Sequence, residues 1–148
     1  MPTNLTADQM LAIVAEHSAR ERDRDWPGAL RTLVADPYYE HYPNRLRFTG
    51  VEPIVEAWKR LLPQPCFDAA TYQDFHRVEF VNGDAVLHIT DWTFADGDSR
   101  KAAKLVAVYT FSGDLMASEK VWFDATLLSY VDKALDADFR AMSGVALF

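Results

Sequence analysis

The chain has 148 residues, which is close to the most common size of a single domain, so one domain is expected over residues 1–148. Hydrophobic residues make up 49% and aromatic residues 13%, enough for a core and for the lining of a cavity. A formal net charge of −7, without a basic run, disfavours binding to nucleic acid or to an anionic membrane surface.

The single cysteine, Cys66, excludes an internal disulfide and a cysteine-based zinc site. The N-terminal residues lack the basic and apolar regions of a signal peptide, and no apolar run approaches the ~18 residues of a membrane span. We therefore expect a soluble, cytoplasmic protein.

Three helices are predicted in the first part of the chain. Residues 6–24 begin with the capping-box spacing of Thr6 and Gln9, and apolar residues and His17 then recur every three or four positions. A second helix is predicted from residue 25 to residue 36, because the residue before a proline disfavours helix. A short aromatic strand, residues 38–42, precedes a third helix over residues 51–62.

The second part of the chain has the pattern of β-strands. Four runs of about ten residues, 72–81, 85–94, 101–111 and 115–124, are separated by short turns, which allow only antiparallel neighbours. The sequence Asn82-Gly83-Asp84 is typical of a tight hairpin. A last helix is predicted over residues 125–142, and the pattern of residues 143–148 does not choose between a cap on the cone, a dimer contact and a frayed end.

Helices followed by an antiparallel meander indicate the α+β class. We predict a cone-shaped, curved antiparallel sheet with about three N-terminal helices packed over its concave face. Such a cone is closed at one end and open at the other, which makes it a natural pocket for a small molecule.

The alternation of side chains along each strand sorts the residues that share a face. On the strand 85–94 both faces are apolar, so we expect this strand to be covered on both sides. On the last strand, Lys120, Trp122 and Asp124 share one face, and Glu119, Val121 and Phe123 share the other.

Two residues are the candidates for catalysis. Asp124 ends an apolar strand, where acidic residues are rare, so it either closes the strand in water or acts as a general acid and base in an apolar surrounding. His41 lies in the aromatic strand and is either a hydrogen-bonded structural residue or a base or donor facing a substrate oxygen. His17 and His76 are interpreted as surface or edge residues, and the charged residues 20–25 as a solvated face.

Aromatic residues and a second histidine are the candidates for the pocket wall, because Tyr and Trp combine apolar area with a polar tip. These substrate-binding candidates are Tyr39, Trp58, His88, Trp92, Tyr109 and Trp122. The chain has no HExxH pattern, no cysteine pair and no glycine-rich phosphate loop, so we expect neither a metal nor a nucleotide cofactor.

Five segments carry a family resemblance. They are residues 24–30 (RDWPGAL), 38–43 (YYEHYP), 50–58 (GVEPIVEAW), 78–86 (VEFVNGDAV) and 113–124 (GDLMASEKVWFD). Over residues 8–130 the chain resembles the SnoaL-like polyketide cyclases of the nuclear-transport-factor-2-like superfamily, which includes ketosteroid isomerase.

The resemblance implies a homodimer of α+β cones and cofactor-free chemistry inside the cone. In cyclase-like members the aspartate after Tyr-Phe is the acid and base, which corresponds here to Asp124 after Trp122 and Phe123. The histidine of the first short strand, here His41, faces the ligand. Trp122 stands where a tyrosine is more usual, which removes one phenol donor.

We therefore predict a cofactor-independent isomerase, cyclase or lyase that acts on a hydrophobic, oxygenated small molecule. Asp124 would remove or deliver a proton next to a carbonyl group, and His41 would assist. Two alternatives stay open. One is a non-catalytic small-molecule-binding or dimerisation module with Asp124 solvated or ion-paired at the rim. The other is a hydrolase in which Asp124 and a second carboxylate, such as Asp91, hold a water.

Overall fold

A computed structural model describes the whole chain, Met1–Phe148. The helices are α1 (Ala7–Arg22), α2 (Trp26–Leu30), α3 (Val51–Leu61), α4 (Ala125–Ala134) and α5 (Ala137–Arg140), with two single-turn 3₁₀ helices at Pro65–Phe67 and Ala69–Thr71. The strands are β1 (Leu33–Tyr42), β2 (Leu46–Thr49), β3 (Gln73–Asn82), β4 (Ala85–Asp96), β5 (Ser99–Ser112), β6 (Leu115–Phe123) and β7 (Val145–Leu147). This order confirms the α+β class.

The seven strands form one sheet in the order β3-β4-β5-β6-β1-β2-β7. The meander from β3 to β6 is antiparallel, as predicted. However, β1 lies parallel to β6, so the sheet is mixed rather than wholly antiparallel. The turns of the meander set the direction of consecutive strands, but no turn joins β1 to β6, so their direction depends on the tertiary structure.

The main core lies between the helices and the inner face of the sheet. Helix α1 contributes Met10 and Val14, and α3 contributes Ile54, Ala57 and Trp58, all of them buried. The inner face of the sheet supplies the opposing residues Tyr39, Leu46, Phe48, Val86, Ala107, Tyr109 and Val121. The predicted packing of helices over the concave face is confirmed, and α4 and α5 extend this layer through Val131, Leu135 and Phe139.

The second helix is much shorter than predicted. Asp25 caps it through the Gly28 N–H, as its position indicates, but the helix ends at Leu30 and Leu33 already pairs with Met116 in the sheet. The register shifts between Leu33 and Tyr38, and this irregularity accommodates Pro37 inside β1. Buried pairing with β6 therefore outweighs the local helical pattern of residues 31–36.

The predicted C-terminal helix is divided in two. Helix α4 ends at Ala134, and Asp136 caps α5 by accepting from the N–H groups of Asp138 and Phe139. The tail then forms β7, which pairs with β2 and extends the sheet at that edge. No helix of the structure combines the length and the apolar character needed to cross a membrane.

Candidate functional site

Two cavities meet between the helices and the inner face of the sheet. The larger has a volume of about 640 Å³ and the smaller about 120 Å³. Both are lined by Glu21, Leu62, Phe67, Leu105 and Glu119, so the two carboxyl groups lie where the cavities join. The larger volume is within the range of small-molecule sites.

His17 is the buried centre of a hydrogen-bonded group at this junction. Thr32 Oγ1 donates to the Ala29 carbonyl at 2.6 Å, so it can accept from His17 Nδ1, which lies 2.6 Å away. His17 Nε2 lies 2.9 Å from the Tyr39 hydroxyl and 2.8 Å from Glu21 Oε1. These contacts orient the imidazole so that Nε2 faces both a phenol and a carboxylate.

Glu119 lies on β6 between two buried tyrosines. In the sheet it is paired directly with Tyr39 of β1 on one side and Tyr109 of β5 on the other. The Tyr109 ring is 6% exposed and lines the larger cavity with Glu119. One carboxyl group and two phenols therefore form a row across three neighbouring strands.

The negative charge of Glu21 affects the protonation of His17 and Glu119. Burial raises the pKa of Glu119 to about 8, and the negative charge of Glu21 acts in the same direction. Burial alone would lower the pKa of His17, but the charge and hydrogen bond of Glu21, together with the charge of Glu119 and the Ala29 carbonyl, raise it overall. At neutral pH Glu119 therefore keeps its proton, next to the close contact between His17 and Glu21.

His17, Glu21 and Glu119 also have donor atoms within 4.8 Å of one another, a spacing that a metal ion could bridge. In the structure, however, His17 Nε2 is already engaged by Tyr39 and Glu21. The contacts observed are those of an acid–base cluster.

The smaller cavity is mainly apolar and contains His41. The His41 ring lies edge-on between Phe48 and Phe123, with 4.9 Å between ring centres in both pairs. Burial lowers the pKa of His41 to about 3, so this imidazole is neutral at physiological pH. Its Nδ1 atom is buried and has no hydrogen-bond partner.

The structure gives Asp124 a location different from the predicted one. Its Oδ1 accepts from the Leu127 N–H at 2.9 Å, which caps α4, and its Oδ2 accepts from the Lys104 N–H at 2.8 Å. Asp124 lines neither cavity. Its predicted catalytic role has no support from these contacts, which close the strand and begin the helix.

Trp122 is also placed outside the pocket. The side chains of β6 that face the helices are Glu119, Val121 and Phe123, the set opposite to the one predicted to face the pocket. Trp122 is 40% exposed on the outer face, where it stacks on Tyr42. Side chains alternate between the two faces of a strand, so assigning one residue of β6 to the wrong face assigns all of them to the wrong face.

The remaining candidates are brought to the inner side of the sheet. Tyr39, His41 and Trp58 line the smaller cavity, and Trp92 and Tyr109 line the larger one. His88 lines neither cavity and instead contacts the Tyr109 ring edge-on at 5.1 Å.

Asp91, the second carboxylate of the hydrolase alternative, lies 3.7 Å from His76 and lines neither cavity, so it does not join Asp124 in a pocket.

The sequence interpretation missed His17, Glu21 and Glu119, although each left a signal. His17 continues the helical spacing of Met10 and Val14, the two buried residues of α1, and Glu21 follows one turn later. Glu119 shares its strand face with Val121 and Phe123, so it is a carboxylate on an apolar face. A polar residue at a position of an apolar stripe is expected to be buried, and this is the pattern that could have identified all three residues.

Comparison with known proteins identifies the fold. No family model and no curated protein matches the sequence. Among solved structures, the chain is similar to an NTF2-like protein from Burkholderia xenovorans, with a TM-score of 0.67 and 13% identity over 86% of this chain and 98% of that one. It is also similar to a putative SnoaL-like polyketide cyclase from Shewanella denitrificans, with a TM-score of 0.61 and 12% identity over 84% and 96% of the two chains.

A third similar structure is a hypothetical protein with a ketosteroid isomerase-like fold from Catenulispora acidiphila, in complex with trimethylamine. The TM-score is 0.58 and the identity 16%, over 80% of this chain and 91% of that one. The chain therefore has the nuclear-transport-factor-2-like fold, which confirms the fold expected from the sequence resemblance. Because this fold carries many activities, the function has to be argued from the site.

The protonation of Glu119 predicts how stability depends on pH. A carboxyl group whose pKa is higher in the folded state than in the unfolded state stabilises the fold at low pH, and this contribution is lost as pH rises to about 8. Glu119→Gln keeps the shape without the ionisation. We expect its free energy of unfolding, relative to wild type, to increase between pH 5 and pH 9 by about 4 kcal/mol.

This difference can be measured by urea unfolding at several pH values. Glu52→Gln, which changes an exposed carboxylate on α3, is the matched control and should follow wild type. Parallel curves for wild type and Glu119→Gln would contradict the assignment of a raised pKa.

The capping contacts of Asp124 predict a structural effect of its substitution. Asp124→Ala loses both accepted hydrogen bonds and should be destabilised by about 1–2 kcal/mol in thermal or urea unfolding. Asp124→Asn keeps one side-chain oxygen and should lose roughly half as much. If Asp124→Ala has the same free energy of unfolding as wild type, the two hydrogen bonds of Asp124 do not stabilise the fold.

Proposed function

We propose that the protein is a cofactor-independent acid–base enzyme of the isomerase, cyclase or lyase type, acting on a hydrophobic, oxygenated small molecule. The observation that carries this proposal is the position of Glu119, whose pKa is about 8, between Tyr39 and Tyr109 at the wall of a 640 Å³ cavity. A carboxyl group with a pKa near working pH is suited both to removing and to returning a proton.

In this mechanism Glu119 takes the role that the sequence assigned to Asp124. The ionised Glu119 removes a proton from a carbon next to a carbonyl group, and negative charge develops on the carbonyl oxygen. The Tyr109 side chain lines the cavity, and its hydroxyl would donate a hydrogen bond to that oxygen. Glu119 then returns the proton at another carbon in an isomerase, or a leaving group departs in a lyase.

The other polar residues would position the reacting groups. The Tyr39 hydroxyl contacts His17 Nε2 and lies on the strand next to Glu119. Burial keeps the pKa of Glu119 high, and the negative charge of Glu21 raises it further, while His17 lowers it in part. His41, neutral at the end of the smaller cavity, is available as a hydrogen-bonding partner for an oxygen or nitrogen atom of the substrate. Trp58 and Trp92 would form part of the wall.

Deuterium incorporation from D₂O tests this proposal without knowledge of the natural substrate. The substrates are hydrophobic ketones such as 2-tetralone and 2-indanone, followed by NMR. We expect Glu119→Gln to lower the exchange rate by about 10²- to 10⁴-fold and Tyr109→Phe by a smaller factor. The wild-type rate should rise with pH and level off above about pH 8, because the carboxylate is the base.

Two controls make the test specific. Asp124→Asn should retain exchange activity, and addition of EDTA should leave it unchanged. If Asp124→Asn abolishes exchange while Glu119→Gln retains it, the assignment based on sequence is the correct one. If neither variant differs from wild type, the cavity does not catalyse proton transfer, and the non-catalytic binding alternative is favoured.

We also propose that the protein forms a homodimer through the outer face of its sheet. Paired residues of four neighbouring strands place apolar side chains in adjacent rows on this face, which no helix covers. These residues are Val78, Phe80, Leu87, Ile89, Val106, Val108 and Trp122. The apolar character of both faces of β4 is explained if a second copy covers the outer one.

Sedimentation equilibrium tests the dimer. Phe80→Glu places a charge on a side chain that is 50% exposed in the single chain and should shift the protein towards monomer. Leu147→Glu, at a residue that is 68% exposed and outside the apolar rows, is the control and should not. If the wild-type protein is still a monomer at 100 times the concentration used in the exchange assay, this surface is not a dimer interface.

A further inference from the structure

Three arginines are among the exposed residues that line the larger cavity, and we call these exposed lining residues the mouth. Arg22 and Arg24 follow each other at the end of α1, and Arg77 lies on β3; all three line the cavity and are exposed. None of them forms an ion pair. Neighbouring Arg20 differs, because it is paired with both Glu16 and Asp25.

The charge at this mouth is opposite to that of the protein as a whole. The chain carries a formal charge of −7, whereas the mouth has three arginines and one acidic residue, Asp68. Local positive charge around a cleft raises the local concentration of anionic ligands. The unpaired guanidinium groups are thus placed where a ligand enters.

Arg24 and Arg77 have further features that favour a ligand. Arg24 has a φ of 58°, a backbone conformation that glycine and asparagine adopt more readily, so the fold itself does not require an arginine there. Arg77 Nε donates to Thr90 Oγ1 at 3.0 Å, and its guanidinium lies 5.2 Å from the centre of the Phe75 ring. These contacts orient the guanidinium and leave its other N–H groups free.

We propose that the mouth of the larger cavity binds an oxyanion group of the substrate, a carboxylate or a phosphate ester, through Arg22, Arg24 and Arg77. The substrate is then an amphipathic organic anion, whose apolar part enters the cavity and whose charged group stays at the mouth. Guanidinium groups suit this role because they bind such oxygens in pairs. The inference rests on the proposed function, since it takes the cavity as the substrate site.

The inner end of the cavity is compatible with an anion at the mouth. His17 Nε2 lies 2.8 Å from Glu21 Oε1, and Glu119 is held protonated at neutral pH. The protonated Glu119 therefore adds no negative charge to the cavity. The same cavity is also lined by the apolar and aromatic residues Phe67, Tyr72, Phe75, Trp92 and Leu105.

Binding of three matched probes tests the proposal. They are 2-naphthylacetate, 2-naphthyl phosphate and the neutral 2-naphthylacetamide, measured by isothermal titration calorimetry in low salt. We expect at least one anion to bind roughly 10-fold more tightly than the amide, and added salt to reduce this preference. The stronger anion identifies carboxylate or phosphate as the preferred group.

Variants then assign the preference to the mouth. Arg22→Gln, Arg77→Gln and Arg24→Gly, the last chosen for its backbone conformation, should each weaken binding of the anion about 3- to 10-fold and leave amide binding unchanged. Arg31→Gln removes an exposed arginine that has no ion pair and lines neither cavity, and it should have no effect.

The proposal is overturned if the amide binds as tightly as both anions, if no anion binds, or if the arginine variants weaken all three probes equally. Glu119→Gln distinguishes this failure from a failure of the proposed function. It should lose deuterium exchange and keep the preference for the anion. An arginine variant should lose that preference, whereas Arg31→Gln should keep both the preference and the exchange.

Discussion

Two carboxyl groups, Glu21 and Glu119, share one buried histidine, and this constraint determines the chemistry of the cavity. Burial raises the pKa of Glu119, and the negative charge of Glu21 raises it further, while His17 and the Tyr39 hydroxyl oppose this only in part. Ionising both carboxyl groups is costly in a surrounding of low polarity, so a proton stays on Glu119 at neutral pH. The same cost that opposes ionisation makes Glu119 an acid of useful strength.

The fold supports this arrangement from three directions. Helix α1 carries His17 and Glu21 one turn apart. Thr32, which follows the short helix α2 in the chain, contacts the imidazole. Strands β1, β6 and β5 supply Tyr39, Glu119 and Tyr109 in one row. A parallel pairing between β1 and β6 is what brings Tyr39 next to Glu119, so the mixed character of the sheet matters directly for the site.

Charge is distributed along the cavity in a definite order. The smaller cavity is mainly apolar and holds the neutral His41, the junction holds the acid–base cluster, and the mouth carries unpaired arginines. A molecule with an apolar end, an oxygenated centre and an anionic end matches this order. Such a match would orient the ligand so that its centre lies at Glu119, which is the positioning that proton transfer requires.

Much of the fold could be predicted from the sequence, because local patterns determine local structure. The capping box at Thr6, the hairpin at Asn82-Gly83-Asp84 and the apolar stripe of α3 depend on neighbours within a few residues, and the helices and meander followed from them. The substrate-binding candidates Tyr39, Trp92 and Tyr109 line the cavities, and their role in binding stays a prediction. The acid–base pair was not predicted, because the alternation along β6 defines two faces without saying which one is inside. Only the tertiary structure, by pairing β6 with β1 and β5 and covering one side with helices, places Glu119 in the cavity and leaves Asp124 to cap a helix.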